Sequence, residues 1–218
     1  MTIIENQYQH DYAAHIETIA SSLEANGYCI QSNFLPQPLV SDLFIHFKSL
    51  DDSRFSRAGI GKATDFQINK FVRTDEIHWL NGTHPVTSAW FEWIEHLRQE
   101  LNRQLFLGLF DYECHYAFYS KGAYYKRHYD SFLGNNTRVV STILYLNPNW
   151  CQGDGGELIL YDKENRVLES IEPYFGRMVF FLSEDFPHEV LPVEKPRYSL
   201  TGWFRVNNSI GEAIDPPG

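Results

Sequence analysis

The chain has 218 residues, of which 43% are hydrophobic and 16% aromatic; this composition is typical of a globular protein and excludes a disordered one. Its formal net charge of −10 speaks against broad binding to nucleic acid phosphates. Three cysteines without paired spacing indicate a reducing compartment, and no apolar run approaches the ~20 residues of a membrane span. We therefore expect a cytoplasmic protein with no nucleic acid or membrane partner.

Helices are predicted in the first half of the chain. Apolar residues recur at helical spacing in 11–26, 38–50 and 86–104; Gly27 ends the first helix and Pro38 suits the first turn of the second. A short strand is predicted at 28–30. Residues 53–73 are weakly periodic and rich in glycine and charge, and we interpret 59–73 as a mobile lid of the kind that covers active sites.

The second half has the pattern of a β fold. Short β-like runs occupy 112–119, 124–130, 138–146, 157–161, 166–171, 177–182 and 198–206, and turn signals rich in Gly, Asn and Pro separate them. Such spacing predicts a sandwich or barrel, with the helices packed on one face of a sheet. We predict one mainly β domain over 1–218, with helical support and a substrate loop in 1–104 and a β core in 105–207.

One group of polar residues indicates a metal site. His128 and Asp130 are two residues apart on a predicted strand, so both side chains project from the same face. A lone histidine is most often a core or rim residue, but His188 and then Arg197 follow downstream. Two imidazoles and a carboxylate can hold one face of a ferrous ion, and an arginine can clamp a dicarboxylate. The set predicts an iron oxygenase that consumes 2-oxoglutarate.

The sequence resembles a known family through motifs beyond these four residues. The stretch 112–206 is similar to the iron(II) and 2-oxoglutarate-dependent dioxygenases, in particular the prolyl 4-hydroxylases that modify hypoxia-inducible factor and their bacterial relatives. The matching segments are Arg127-His128-Tyr129-Asp130, Tyr145-Leu146-Asn147, Trp150, Gly155-Gly156, Ile171-Glu172-Pro173, Phe180-Phe181, Pro187-His188-Glu189-Val190, Arg197-Tyr198 and Trp203, and upstream Arg73-Thr74-Asp75, Ile77 and Trp79.

The resemblance implies a double-stranded β-helix, or jelly-roll, with the site at its open end. It implies iron(II) bound by His128, Asp130 and His188, and 2-oxoglutarate bound by Arg197 and Tyr145, with Tyr119 and Trp203 lining its pocket. Ascorbate is a candidate reductant. Arg73, Asp75 and Trp79 would anchor the substrate lid, and Arg138 would lie at the substrate entrance. Outside the resemblance, Tyr145 and Trp203 are equally plausible as core aromatics, and Arg73 and Asp75 as a solvated pair.

The resemblance implies a prolyl hydroxylase that uses dioxygen on an exposed proline of a protein partner. Because bacterial relatives act on elongation factor Tu, that factor is a candidate substrate. Two alternatives remain open. The same chemistry could act on a free amino acid, a small metabolite or a nucleobase, although the acidic charge disfavours the last. The chain could also be a non-catalytic metal-binding sensor, which the complete set of four residues disfavours.

Overall fold

The computed structural model describes residues 12–58, 72–131 and 137–207. Within these residues the first half contains three helices, α1 (Tyr12–Asn26), α2 (Gln37–Ser49) and α3 (Pro85–Leu105), with a 3₁₀ turn at Asp52–Arg54. Gly27 ends α1 at a positive φ of 78°, and a Cβ there would lie 2.8 Å from the ring of Phe186, so only glycine fits. Proline occupies the first turn of α2 and of α3, where a backbone N–H is not needed.

A seven-stranded antiparallel sheet, called here the major sheet, forms one layer. Its strands lie in the order β1-β9-β6-β11-β4-β3-β2. Their bounds are β1 Tyr28–Ser32, β2 Ser56–Arg57, β3 Glu76–Trp79, β4 Leu109–Tyr119, β6 Arg138–Tyr145, β9 Arg177–Leu182 and β11 Arg197–Val206. The strands β6, β11 and β4 occupy the middle of this order, so each is paired along both edges and its inward side chains are held in fixed register.

A four-stranded antiparallel sheet, the minor sheet, forms the second layer in the order β5-β10-β7-β8. Its strands are β5 Tyr125–His128, β7 Leu158–Tyr161, β8 Val167–Ile171 and β10 His188–Val190. Strand β10 lies between β5 and β7, with His188 directly opposite His128 on one side and Leu160 on the other. The register of this short strand therefore decides which residues face each other at the end of the minor sheet.

The core has two parts on opposite faces of the major sheet. One lies under the helices and contains Trp90, Leu97, Leu144 and Phe180 among others. The other lies between the two sheets and contains Ile143, Tyr145, Phe181 and residues of β7. Neighbouring residues such as Phe180 and Phe181 fall into different parts because successive strand side chains point to opposite faces. The second part surrounds the cavity described below.

The prediction of a mainly β fold with helices on one sheet face is confirmed, and all three predicted helices and all eight predicted strands are present. Three strands were not predicted, namely β2, β3 and β10. Strands β1, β2 and β3, which lie within residues 1–104, join the major sheet, and of these only β1 was predicted. The predicted loop at 53–73 begins with the 3₁₀ turn and β2; residues 59–71, where the lid is predicted, lie outside the described residues.

Within the three described stretches, no helix combines the length and apolar character that crossing a membrane requires.

Candidate functional site

His128, Asp130 and His188 meet at the end of the minor sheet. His128 is the last residue of β5 and His188 the first of β10, so their direct pairing brings the two rings to a centroid distance of 4.3 Å. Asp130 follows two residues after His128, and its carboxylate oxygens lie 3.7 Å from His128 Nε2 and 3.6 Å from His188 Nε2. One ligand atom from each residue can be chosen so that all three lie within 4.8 Å of one another.

Backbone carbonyls orient both imidazoles. His128 Nδ1 lies 2.8 Å from Lys126 O, and His188 Nδ1 lies 3.1 Å from Phe186 O. Because a carbonyl oxygen only accepts, Nδ1 carries the hydrogen in both rings and each Nε2 offers a lone pair toward Asp130. Burial, and then the neighbouring His128, lower the pKa of His188 to about 4. Both features favour the neutral imidazole that a metal ligand requires.

Asp130 supplies the anionic donor. Burial alone would raise the pKa of its carboxyl group, but His188 and His128 outweigh that effect and hold the pKa well below its usual range. The carboxylate also accepts a hydrogen bond of 2.7 Å from the Ser141 hydroxyl. Two neutral imidazoles and one carboxylate on one side of a cavity fit a ferrous ion, because this donor set leaves further coordination positions open.

A cavity of about 350 Å³ extends from this cluster between the two sheets. Besides the three residues above, its lining includes the predicted Arg73, Trp79, Tyr119, Arg138, Arg197 and Trp203, together with Tyr125, Ile143, Leu158 and Val190. The aliphatic members Ile143, Leu158 and Val190 come from β6, β7 and β10, one from each strand. The structure thus brings nine predicted site residues to one cavity. Tyr145 is not among the lining residues, but its ring lies beside Arg197.

Arg197 lies at the inner end of the cavity. Its side chain is 1% exposed, and its guanidinium carbon lies 4.9 Å from the ring centre of Tyr119 and 5.0 Å from that of Tyr145. Its Nε donates to Gly156 O at 3.0 Å, and none of the carboxylates in the described residues pairs with it. A buried guanidinium without a counter-charge is costly, so this end of the cavity is built to receive an anion.

Tyr145 adds a second buried polar group at the same end. Burial raises the pKa of its phenol to about 12, so the hydroxyl keeps its hydrogen and can donate it. Within the described residues this hydroxyl makes no hydrogen bond of normal geometry. A carboxylate beside Arg197 would accept from both groups, and the distal carboxylate of 2-oxoglutarate therefore fits this end of the cavity.

Gly156 makes room for the buried arginine. A Cβ at this position would lie 2.9 Å from Arg197 Cδ and 2.7 Å from Val193 Cγ1, and its φ of +67° suits glycine. In sequence the Gly155-Gly156 pair alone indicates only a turn. In the structure the second glycine lets its own carbonyl approach the guanidinium.

At the outer part of the cavity, polar and aromatic groups replace the apolar lining. The Arg138 guanidinium lies 3.7 Å from the ring centre of Trp203 and pairs with Glu113 at 2.7 Å. Trp79 is 48% exposed and lies at the mouth. These contacts give Arg138 a fixed position beside the opening, and stacking on an indole face stabilises it there.

Arg73 and Asp75 form a buried ion pair with a shortest distance of 2.6 Å, so the interpretation of these residues as a solvated pair is wrong. The Arg73 guanidinium lies 4.2 Å from the ring centre of Tyr125, whose ring stacks on His128 at 3.5 Å. The pair thus supports one face of the metal-binding cluster through an aromatic ring. Sequence reasoning missed Tyr125, although its position three residues before His128 on a predicted strand placed it nearby.

Three further polar residues were also missed. Ser141 contacts Asp130, Ser183 contacts Ser141, and His115 lines the cavity between the rings of Trp79 and Trp203. Each is a buried polar residue in or next to an apolar strand. That placement was the available signal, because a polar group costs free energy to bury unless it has a partner.

Comparison with known proteins gives consistent matches. Residues 114–205 match the model of the 2OG-Fe(II) oxygenase superfamily. The chain is 29% identical over 206 residues to Egl nine homolog 1 of Mus musculus, covering 87% of this chain and 49% of that protein. It is 30% identical over 210 residues to prolyl hydroxylase EGLN3 of Mus musculus, covering 87% of this chain and 82% of that protein. The chain spans about half the length of the Egl nine homolog.

Two solved structures are similar over most of the chain. A prolyl-4-hydroxylase of Pseudomonas putida superposes with a TM-score of 0.80 at 36% identity, covering 88% of this chain and 100% of the other. A prolyl hydroxylase from Trichoplax adhaerens, in complex with a peptide of the hypoxia-inducible factor oxygen degradation domain, has a TM-score of 0.78 at 28% identity, covering 94% of each chain.

Proposed function

Because this chain belongs to the iron(II)- and 2-oxoglutarate-dependent oxygenases of the hypoxia-inducible factor prolyl hydroxylase type, we propose that it hydroxylates a prolyl residue of a protein substrate. The resemblance and the jelly-roll core predicted from the sequence are thereby confirmed. The reaction would convert prolyl residue, dioxygen and 2-oxoglutarate to hydroxyprolyl residue, succinate and carbon dioxide. One observation carries the proposal: the His128–Asp130–His188 cluster shares a cavity with a buried arginine that lacks a counter-charge.

Different residues would bind the metal and the far carboxylate of 2-oxoglutarate, at the two ends of the cavity. When bound, iron(II) supplies the activation of dioxygen that is coupled to decarboxylation of the 2-oxo acid. His128, Asp130 and His188 would hold the metal. Arg197 and Tyr145 would bind the far carboxylate of 2-oxoglutarate, which fixes its oxo acid end toward the metal. The protein's contribution is to position the reactants and exclude water, and the apolar walls provided by Ile143, Leu158 and Val190 suit the second task.

A peptide is the substrate class that the outer cavity favours. The half-exposed Trp79 and the exposed Tyr129 border the opening with apolar rings, and Arg138 beside Trp203 offers a fixed donor. A flat ring surface next to a donor suits a proline ring followed by a peptide carbonyl. The complex of the Trichoplax adhaerens relative with a peptide supports the same class. Elongation factor Tu is the first candidate protein, on the resemblance to bacterial relatives.

The proposal can be tested by loading the protein with iron(II) and 2-oxoglutarate without oxygen and then adding oxygen and cell lysate. Mass spectrometry of the lysate proteins should find a hydroxylated proline that requires 2-oxoglutarate. His188→Ala should abolish it, whereas His96→Ala, on the exposed face of α3, should not. Succinate release without any hydroxylated protein would favour the small-molecule alternative. Metal binding without succinate release would favour the sensor.

A further inference from the structure

Asp130 differs from the two histidines in how its backbone is held. His128 and His188 are strand residues paired directly with each other. Asp130 lies beyond the end of β5, in a bend, and is not part of either sheet. Its carboxylate must therefore be fixed by side-chain contacts if it is to keep one orientation.

Two buried serines provide such contacts. Ser141 Oγ lies 2.7 Å from Asp130 Oδ2, and Ser183 Oγ lies 2.9 Å from Ser141 Oγ. Neither serine is exposed to any degree. Ser141 belongs to β6, which is paired on both edges with β9 and β11, and the Ser183 backbone N–H donates to Val139 O at 3.0 Å. The two hydroxyls are thus anchored to the most firmly paired part of the major sheet.

The hydroxyl hydrogens of Ser141 and Ser183 can be arranged in only one way. An ionised carboxylate can accept but not donate, so the single hydroxyl hydrogen of Ser141 must go to Asp130. Ser141 then has only acceptor capacity left for Ser183, and Ser183 must donate to it. The order of donation is Ser183 to Ser141 to Asp130, and each bond polarises the next.

We propose that Ser141 and Ser183 form a positioning relay that fixes the Asp130 carboxylate for metal binding. This inference rests on the metal site of the proposed function. Each of the three proposed metal ligands is then held in place by a neighbouring group. Backbone carbonyls orient the two histidines, and the serine relay orients the aspartate. Loss of such a supporting contact typically weakens metal affinity by about 10- to 100-fold.

The test uses cobalt(II) as a probe and measures its dissociation constant with the purified full chain, in the absence of 2-oxoglutarate. Ser141→Ala should weaken cobalt binding by roughly 10- to 100-fold, and Ser183→Ala should weaken it less, because the Ser141–Asp130 bond remains. Ser141→Thr keeps the hydroxyl and should bind nearly as wild type does. Thr142→Val is the matched control, since Thr142 is equally buried on the same strand but bonds Tyr112 on the opposite face.

The double variant, Ser141→Ala with Ser183→Ala, shows whether the two serines act on metal binding together or independently. In a relay, Ser183→Ala should have little further effect once Ser141 is alanine, because the hydroxyl that it supports is gone. The proposal is overturned if Ser141→Ala binds cobalt as tightly as Thr142→Val, or if Ser183→Ala weakens binding equally in both backgrounds. If Ser141→Ala does not fold, Ser183→Ala carries the test, and an affinity equal to that of Thr142→Val contradicts the proposal. Cobalt binding needs no turnover, so this result is independent of whether a hydroxylated protein is found.

Discussion

Replacing Arg197 by methionine should abolish most of the binding free energy at the far carboxylate of 2-oxoglutarate. Methionine keeps an unbranched apolar stem but removes the guanidinium. Its Nε donates to Gly156 O and its Nη1 lies 3.4 Å from Ser199 Oγ, and none of the carboxylates in the described residues pairs with it. Losing one partner of a buried, hydrogen-bonded charge pair costs about 2–5 kcal/mol. At about 3 kcal/mol, the dissociation constant of 2-oxoglutarate should rise roughly 100-fold.

The effect can be read from equilibrium unfolding of the cobalt-loaded protein as 2-oxoglutarate is added. At a concentration of about 100 times the wild-type dissociation constant, bound ligand should stabilise wild type by about 2.7 kcal/mol. The same concentration would only half-saturate Arg197→Met, which should gain about 0.4 kcal/mol. Arg197→Lys should lie between them, because it keeps the charge but loses the planar fork.

Cobalt affinity is the control in this experiment. Arg197 contacts none of the three proposed ligands, so the metal should bind Arg197→Met as it binds wild type. If 2-oxoglutarate stabilises this variant as much as wild type, the assignment of Arg197 to the carboxylate is refuted. A parallel loss of cobalt binding would refute the reasoning that separates the two ends of the cavity.

Three further variants test the surroundings of the site. Gly156→Ala should lower the melting temperature more than Gly108→Ala does. Both glycines have a φ of +67°, but only at Gly156 would the added Cβ meet neighbouring side chains. Equal shifts in melting temperature would contradict the inference that Gly156 makes room for Arg197. Burial, and then the charge of Arg73, lower the pKa of His115 to about 3. His115 therefore binds a proton near pH 6.5 in the unfolded chain but not in the folded one, so the folded state loses stability as the pH falls from about 6.5 toward 3. In urea unfolding, His115→Gln should lose less stability than wild type between neutral pH and about pH 5. An equal loss would show that protonation of His115 does not contribute to the pH dependence of stability. Asp75→Asn removes the carboxylate from the buried pair with Arg73 and should cost about 3–5 kcal/mol. Lys121→Ala, which breaks the exposed pair with Glu194, should cost at most about 1 kcal/mol. Chemical denaturation compares the two variants, and similar losses would mean that the Arg73–Asp75 pair is not effectively buried.

Much of the fold follows from periodicity in the sequence. The three helices each have at least three turns of apolar residues at helical spacing, and the seven strands predicted in the second half are long enough to show alternation or a continuous apolar run. Strand β10 was missed because three residues carry no detectable period of two. Strands β2 and β3 were missed because they depend on pairing between separate segments: β2 pairs with β3, and β3 pairs with β4, which lies far along the chain.

The residues of the candidate site, too, could be predicted only in part from the sequence. His128 and Asp130 could be paired from sequence because a strand places i and i+2 on one face. His188 and Arg197 could be added because a second imidazole and an arginine downstream complete a set suited to iron and a dicarboxylate. The roles of Ser141 and Ser183 depend on which strands become neighbours, and sequence spacing does not contain that information. The same holds for the ion pair of Arg73 and Asp75, because the contact of the Arg73 guanidinium with the Tyr125 ring joins two separate segments of the chain.

The most direct test of prolyl hydroxylation supplies isotopically labelled dioxygen to the iron-loaded protein with 2-oxoglutarate and a protein substrate, elongation factor Tu first and then lysate proteins. Mass spectrometry then locates the label. We predict one labelled oxygen atom in a hydroxyprolyl residue and one in succinate, formed in equal amounts by wild type and by neither His188→Ala nor an iron-free sample. Hydroxyproline whose oxygen comes from water, or succinate formed in the presence of these proteins without any labelled hydroxyproline, would contradict the account.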